Sequence, residues 1–394
     1  MSSMITKIEN GKILSGDGLI SNHSLYYKED KIIAITEKPM HFDRIIDAGG
    51  QYVSPGFIDI HVHGGDGYDF MDGGTEAIVK AADFHLRYGT TSIMPTSLSS
   101  STDTLITFLE DLRCVMDSHA AKANILGVHL EGPYFSLAQS GAQNPDYIKA
   151  PDIGEYEEIL ERYGNIIRRW SFAPELLGSV EFCEALVKRG VVPAIGHSDA
   201  TFADVEKVYN KGCHLVTHLY SGMSSITRHA GYRKLGVLES AYLLDDMAVE
   251  VIADGRHLPA ELLKLIIKGK KKEYICLVTD AMRGAGMEEG ESLLGRKGEA
   301  MPCVIEDGVA KLIDRSSFAG SVATADRLIR TMVRETGISV STAVSMMTVV
   351  PASIFQLEKK GCLREGNDAD IILFDDDIHV SEVIVGGTTV YSNL

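Results

Sequence analysis

No stretch of this 394-residue sequence stays apolar for the roughly 20 residues that a membrane-crossing helix needs. The first ten residues carry Lys7 and Glu9 and lack an apolar core of signal-peptide length. Six cysteines (Cys114, Cys183, Cys213, Cys276, Cys303 and Cys362) form no CxxC pair. In a chain of this size they are expected to be reduced, mostly buried thiols of a cytoplasmic protein. Positive charge is scarce: 38 Lys and Arg face 55 Asp and Glu, a formal net charge of −17. Nucleic acid and anionic membrane surfaces repel such a chain, so neither is expected as a partner. A few local cations can still hold one small anion. The longest basic run, Lys268 with Lys270, Lys271 and Lys272, follows a helical stretch and is expected to be a solvated helix end. Internal repeats, low-complexity segments and a glycine-rich nucleotide loop after the first central strand are also missing.

Apolar residues make up 45% and charged residues 24%, an ordinary globular balance. The length allows one large domain with a smaller module. Both ends of the chain suggest short strands: Thr6 to Ile8, Ser24 to Tyr27, Lys31 to Thr36 and Arg44 to Asp47 at one end, Asp370 to Phe374 and Glu382 to Val385 at the other. The middle alternates. Apolar runs recur at Phe57 to Val62, Ser92 to Pro95, Ile125 to Leu130, Trp170 to Ala173, Val191 to Ile195, His214 to Thr217, Ala248 to Ile252 and Ile275 to Val278. Helical spacing lies between most of them, as in Glu76 to Tyr88, Leu105 to Met116 and Phe202 to Asn210. This pattern predicts an α/β fold, a (β/α)8 barrel spanning residues 55–358. Residues 1–54 and 359–394 are expected to form one discontinuous β-sandwich domain.

Side chains able to bind metal recur at the ends of these strands. The first ends in Ile58-Asp59-Ile60-His61-Val62-His63, and the two-residue period of a strand turns His61 and His63 to one face. The third ends in Val128-His129-Leu130-Glu131 before Gly132-Pro133. The fifth ends at His197, the sixth at His218 and the eighth at Asp280. One histidine beside a strand end is usually a hydrogen-bonded structural residue, and His23, His41, His85, His119 and His379 are given no role. Four histidines and two carboxylates at equivalent strand ends are another matter. Burying that many polar groups is costly unless an ion compensates them. Imidazole and carboxylate without thiolate suit Zn²⁺, Fe²⁺, Mn²⁺ or Co²⁺. Asp280, beyond the histidines, can take a proton from water acidified by such an ion.

The Pro55-Gly56-Phe57-Ile58-Asp59-Ile60-His61-Val62-His63-Gly64 segment is similar to the opening strand of the amidohydrolase superfamily. Gly127-Val128-His129-Leu130-Glu131-Gly132-Pro133 resembles N-acetylglucosamine-6-phosphate deacetylases more specifically, as do Gly196-His197-Ser198, Thr217-His218-Leu219-Tyr220, Ile252-Ala253-Asp254-Gly255 with His257, and Thr279-Asp280-Ala281. The resemblance spans nearly the whole chain. It implies hydrolysis of an N-acetyl amino sugar phosphate to acetate and the free amine, by a cytoplasmic homodimer holding one or two divalent ions, zinc or iron, per subunit. Glu131, His197 and His218 would hold the main ion, and His61 and His63 a second. Asp280 would be the general base and then the acid. Gln143, Ser221, Gly222, Arg228 and His257 would contact the substrate, with Arg228 reaching across a dimer interface.

Two departures stand out. The family usually has Asn-Ala-Met where this chain has Ser221-Gly222-Met223, and Asn-Pro-Ala where it has Val350-Pro351-Ala352. The first lies beside the expected sugar site and keeps a related sugar, such as N-acetylgalactosamine 6-phosphate, open as substrate. An N-acetyl sugar without phosphate, another small amide and a non-enzymatic binding role are further alternatives. A cyclic amidase is disfavoured because Glu131 stands where such enzymes carry a modified lysine.

Overall fold

The computed structural model describes residues 4–16 and 18–393, so the outermost ends of the expected terminal segments, residues 1–3 and 394, lie outside the described residues. The alternation of the middle is present as an α/β arrangement. Its eight strands are β1 (Phe57–Val62), β2 (Thr90–Pro95), β3 (Val128–Glu131), β4 (Ile167–Phe172), β5 (Val192–Ile195), β6 (Leu215–Val216), β7 (Ala248–Val251) and β8 (Ile275–Leu277). They pair parallel in two runs: β1 with β2 and the short strand Asn124–Ile125, then β3 through β8 in chain order. Parallel bridges Thr96–His129 and Val62–Ala281 lie between the runs. All of β1, β2 and β3 is buried, as parallel strands covered by helices should be.

Local sequence explains the covering helices. In Thr102–Ser118, Leu105, Phe108, Leu109, Leu112 and Val115 recur every three or four residues and are buried. The Ser101 hydroxyl caps the helix by accepting from the Thr104 N–H at 3.2 Å. Asp152 does the same for Ile153–Tyr163, accepting from Glu155 at 2.9 Å.

Strands from both ends of the chain share a sheet, because Ile371–Phe374 pairs antiparallel with Tyr52–Pro55. A second sheet contains Ile5–Glu9, Ser24–Lys28, Lys31–Thr36 and Arg44–Asp47. Ile8, Ile13, Leu25, Val53, Ile371 and Leu373 belong to one apolar cluster drawn from the two sheets. Of the six cysteines, Cys183, Cys213, Cys276 and Cys303 are buried, Cys114 is exposed and Cys362 intermediate. Among the described residues no helix is long and apolar enough to cross a membrane.

Three of the elements not expected from the sequence lie near the site or change its surroundings. A three-stranded antiparallel sheet, Gly290–Leu294, Met301–Glu306 and Val309–Leu312, follows β8. An exposed hairpin, Thr227–His229 with Tyr232–Lys234, follows β6. Helix Ala325–Thr336 carries Arg327, Arg330 and Arg334 around a narrow buried stripe of Leu328, Ile329 and Met332, which hides its apolar period. The basic run also needs correction: Lys270 is not a solvated side chain. It is buried, and its ammonium donates to the Ala241 and Leu244 carbonyls at 2.7 Å each, where helix Val237–Leu243 ends.

Candidate active site

His61, His63, Glu131, His197, His218 and Asp280 are brought together at or just beyond the C-terminal ends of β1, β3, β5, β6 and β8, and all six are buried. They form two groups able to hold a metal ion, His61 with His63 and Asp280, and Glu131 with His197 and His218. Glu131 lies between them. Its Oε1 is 3.0 Å from Nε2 of His218, 3.3 Å from that of His197 and 3.5 Å from that of His61; its Oε2 is 3.4 Å from Nε2 of His63. Oδ1 of Asp280 is 3.1 Å from Nε2 of His63 and 3.4 Å from Nε2 of His61.

The donor set fits a divalent transition metal. Nε2 of His61 faces Nε2 of His63 at 3.3 Å, and Nε2 of His197 faces that of His218 at 3.2 Å. Lone pairs converge like that only around a cation or a shared proton. Three of the four rings are also fixed from behind. Nδ1 donates to the Gln139 carbonyl from His197 at 2.9 Å, to the Ser221 carbonyl from His218 at 3.1 Å, and to Oε2 of Glu250 from His61 at 3.1 Å. That leaves Nε2 as the atom turned toward the other candidate ligands, as a metal-binding histidine would have it.

The electrostatics agree. Burial alone would push the His61 and His63 imidazoles down, but the Glu131 and Asp280 carboxylates outweigh it and raise them to about 9 and about 10. Burial opposes ionisation of Glu131 too, yet His61, His197 and His218 hold its carboxyl well below the ordinary range. The site is built to keep positive charge in its centre.

Backbone geometry marks the same residues. His197, His218 and Asp280 have φ of 45°, 26° and 48°, left-handed values that side chains other than glycine seldom take. Such conformations cost about 1–3 kcal/mol each and concentrate where function demands a particular aim. Gly132, φ 86°, is required after Glu131, because a Cβ there would meet the Ser99 hydroxyl at 2.3 Å. The Trp170 indole N–H donates to the Gly132 carbonyl at 2.8 Å and locks this turn onto β4.

A cavity of about 530 Å³ opens over the cluster. Gln143, Ser221, Gly222 and His257 line it, so four of the five expected substrate contacts are in place. Gly222 matters sterically: a Cβ there would lie 2.9 Å from Nδ1 of His197 and 3.2 Å from the Gln139 carbonyl. Nδ1 of His257 is held by the Asp254 carboxylate at 2.8 Å, and its ring packs on Phe318. Arg228 is different. It sits on the exposed hairpin and is not among the residues lining the cavity of its own chain.

Sequence reasoning missed two sets of residues. Lys311, Arg315, Ser316 and Ser317, from the unexpected sheet and the turn after it, line one wall of the cavity. The two cations share Glu306, which each approaches to 3.2 Å. Nothing in their spacing announces this. The second set lies beneath the cluster: Asp59, Arg169 and Glu250, all fully buried. For Glu250 the signal was legible, a lone charge inside an otherwise apolar strand, whereas Arg168 beside Arg169 obscures it there. Asp59 accepts from the Thr279 hydroxyl at 2.5 Å and ties β1 to the segment carrying Asp280; burial raises its carboxyl to about 7. Burial would raise Glu250 as well, but the Arg169 guanidinium and His61 pull it down to about 2.

The amidohydrolase family model matches residues 52–390. The N-acetylglucosamine-6-phosphate deacetylase of Lysinibacillus sphaericus is 31% identical over 382 residues, 96% of this chain and 96% of that protein. The N-acetylgalactosamine-6-phosphate deacetylase of Escherichia coli O157:H7 is 29% identical over 378 residues, 95% of this chain and 97% of that one. Among solved structures, a mutant N-acetyl-D-glucosamine-6-phosphate deacetylase from Mycobacterium smegmatis, in complex with N-acetyl-D-glucosamine-6-phosphate, superposes with a TM-score of 0.90 at 28% identity and full coverage of both chains.

Proposed function

The chain belongs to the amidohydrolase family, and from that premise we propose that it removes the acetyl group of N-acetylglucosamine 6-phosphate, releasing acetate and glucosamine 6-phosphate. The observation that carries the proposal is the two adjacent ligand groups, with Glu131 facing the histidines of both, at the floor of a cavity large enough for one hexosamine phosphate.

Glu131, His197 and His218 would hold one divalent ion, and His61 with His63 a second. Zinc and iron suit this set, as imidazole and carboxylate ligands do. An ion held there would supply Lewis-acid chemistry, polarising the amide carbonyl and acidifying water enough for attack near neutral pH. Asp280 accepts the proton of the attacking water and returns it to nitrogen as the C–N bond breaks, so the amine leaves neutral. The ring nitrogens of His61, His197 and His218 stay fixed throughout by their acceptors behind. Gln143 and His257 orient the sugar, and Ser221 and Gly222 border it. The phosphate is met by His257 and by Arg228 from a neighbouring subunit of a homodimer.

The fold reading goes with the function. The eight parallel strands act as a closed (β/α)8 barrel, with residues 55–358 as the catalytic domain; the Thr96–His129 and Val62–Ala281 bridges support closure. Residues 1–54 and 359–394 form the β-sandwich beside it, supported by the shared sheet.

A panel of N-acetyl hexosamines with gluco and galacto configuration, each with and without the 6-phosphate, tests the proposal by acetate release. The expected substrate is the phosphorylated gluco sugar. Equal turnover of all four sugars, or none of any, overturns the assignment.

A further inference from the structure

The ion pair beneath the six ligands enters the chemistry above only as the acceptor behind His61. Glu250 on β7 and Arg169 on β4 are both fully buried. Arg169 donates through Nη1 to Oε1 of Glu250, and through Nη2 to the Thr217 hydroxyl at 2.8 Å. The other oxygen, Oε2, takes Nδ1–H of His61 at 3.1 Å and the backbone N–H of His218 at 3.2 Å. A buried ion pair is a poor route to stability, since well-packed apolar residues often do as well or better. Its contacts suggest another purpose: they end on two of the candidate metal ligands.

We propose that Glu250 is a positioning residue that keeps a proton on Nδ1 of His61, so that Nε2 is the ligating atom of the His61–His63–Asp280 group, and that Arg169 fixes which carboxylate oxygen does this. The inference rests on the reading of His61 as a metal ligand.

A metal-binding imidazole is neutral and carries one proton. Oε2 of Glu250 has only acceptor capacity and therefore selects the Nδ1–H form of His61. Glutamine has nearly the same shape but one oxygen. Arg169 offers only donors, so in Glu250→Gln the amide oxygen turns to Arg169 and the NH₂ group to His61. That group would meet the backbone N–H of His218 donor to donor, and would draw His61 into its Nε2–H form, with a proton aimed where an ion should sit. His218 keeps its own tautomer through the Ser221 carbonyl. The damage should fall on one ligand group and spare the other.

The test is to titrate metal-free wild type and Glu250→Gln with Co²⁺ and Zn²⁺, following cobalt absorption and competition with a chromophoric chelator. Wild type should take two ions. Glu250→Gln should keep the first within about threefold and bind the second about 10–100-fold more weakly, the usual cost of losing such an outer partner. A variant that binds both ions with wild-type affinity overturns the proposal. A second measurement needs no variant at Glu250: ¹⁵N spectra of the zinc-loaded wild type, with the His61 ring assigned by comparison with His61→Gln. A protonated Nδ1 and a metal-shifted Nε2 support the role of Glu250, and the reverse overturns it even if Glu250→Gln fails to fold. Wild type that takes no ion at His61 overturns the ligand reading itself, and is distinguished because the His61 spectrum is then unaffected by zinc.

Discussion

Gln143 donates through Nε2 to Oε2 of Glu131 at 2.8 Å, while its own Oε1 accepts from the Ser99 backbone N–H at 2.8 Å. The amide cannot turn over without setting donor against donor, so it holds Glu131 with Oε1 toward His197 and His218. Gln143→Leu keeps the bulk but strands a carboxylate oxygen and a buried N–H. Charged hydrogen bonds contribute about 1.5–3 kcal/mol, so ion affinity and kcat/KM should both fall about 10–100-fold. Chelator competition and initial rates on the same preparation check it.

Asp280 is placed for proton transfer by more than its sequence position. Its N–H donates to the His61 carbonyl at 2.9 Å and its carbonyl accepts from the Ser321 N–H at 2.7 Å, which fixes the left-handed turn that aims the carboxylate. Asp280→Asn should lower kcat by at least ~10²-fold with a much smaller change in KM, as expected for loss of a general base. His129 cannot take over. It is fully buried, bonded to the Ser171 hydroxyl at 2.7 Å and outside the cavity lining, and burial keeps its imidazole neutral.

Ion dependence has a stability readout as well as a kinetic one. A ligand that binds only the folded state at 1,000 times its Kd adds about 4 kcal/mol. Protein stripped by a strong chelator should lose turnover and melt at lower temperature, and zinc, iron, manganese or cobalt should restore both. Full activity in protein shown metal-free by elemental analysis would remove the ions from the site.

How much of this was legible depends on where each residue sits. His61, His63, Glu131, His197, His218 and Asp280 could be found because parallel strands write themselves as apolar runs, and each of these residues ends one. Helix Ala325–Thr336 could not, because its arginines mask a narrow apolar stripe. Strand Val309–Leu312 was missed for a similar reason: half of it is only partly buried, so its alternation is weak. Lys311 and Arg315 therefore reached the cavity without warning. Glu250 was visible as a charge inside an apolar strand, but only the coordinates pair it with Arg169 and with His61.

His85, given no role from the sequence, gives a pH prediction. It is fully buried, and Nε2 donates to the Gly64 carbonyl at 2.9 Å, beside His63. Burial lowers its imidazole from 6.5 to about 4. Above pH 6.5 it is neutral in both folded and unfolded chains and has no effect on the slope. Between pH 6.5 and about 4 the unfolded chain takes up a proton that the folded one refuses, so stability falls as pH falls. Over the full window this one group removes about 3 kcal/mol. Urea midpoints from pH 7 to pH 4.5 should drop less steeply for His85→Gln, which keeps a donor and cannot titrate. Parallel curves for the two proteins would refute it.

Arg228 is the expected phosphate contact that lies outside the cavity of its own chain, so its role requires a second subunit. The hairpin bearing it is exposed on all six paired residues and carries Arg233 and Lys234 beside it. Within the cavity Lys311 and Arg315 are the nearest rivals, but both are already paired with Glu306. An arginine offers phosphate a forked donor pair, and losing one such charged contact costs about 1.5–3 kcal/mol. Arg228→Ala should therefore lower kcat/KM for the phosphorylated sugar about 10–100-fold and leave the unphosphorylated sugar almost unchanged. Subunit exchange adds the decisive arm. Mixing Asp280→Asn protein with Arg228→Ala protein, each impaired on the phosphorylated sugar, should raise activity above the sum of the two, because one mixed dimer site then has both Asp280 and its neighbour's Arg228. If Arg228 acted within its own chain, each mixed dimer would still hold one intact site only where neither change falls, which is nowhere. No recovery on mixing would place Arg228 in its own chain's site, and equal losses for both sugars would return the phosphate to Lys311 and Arg315.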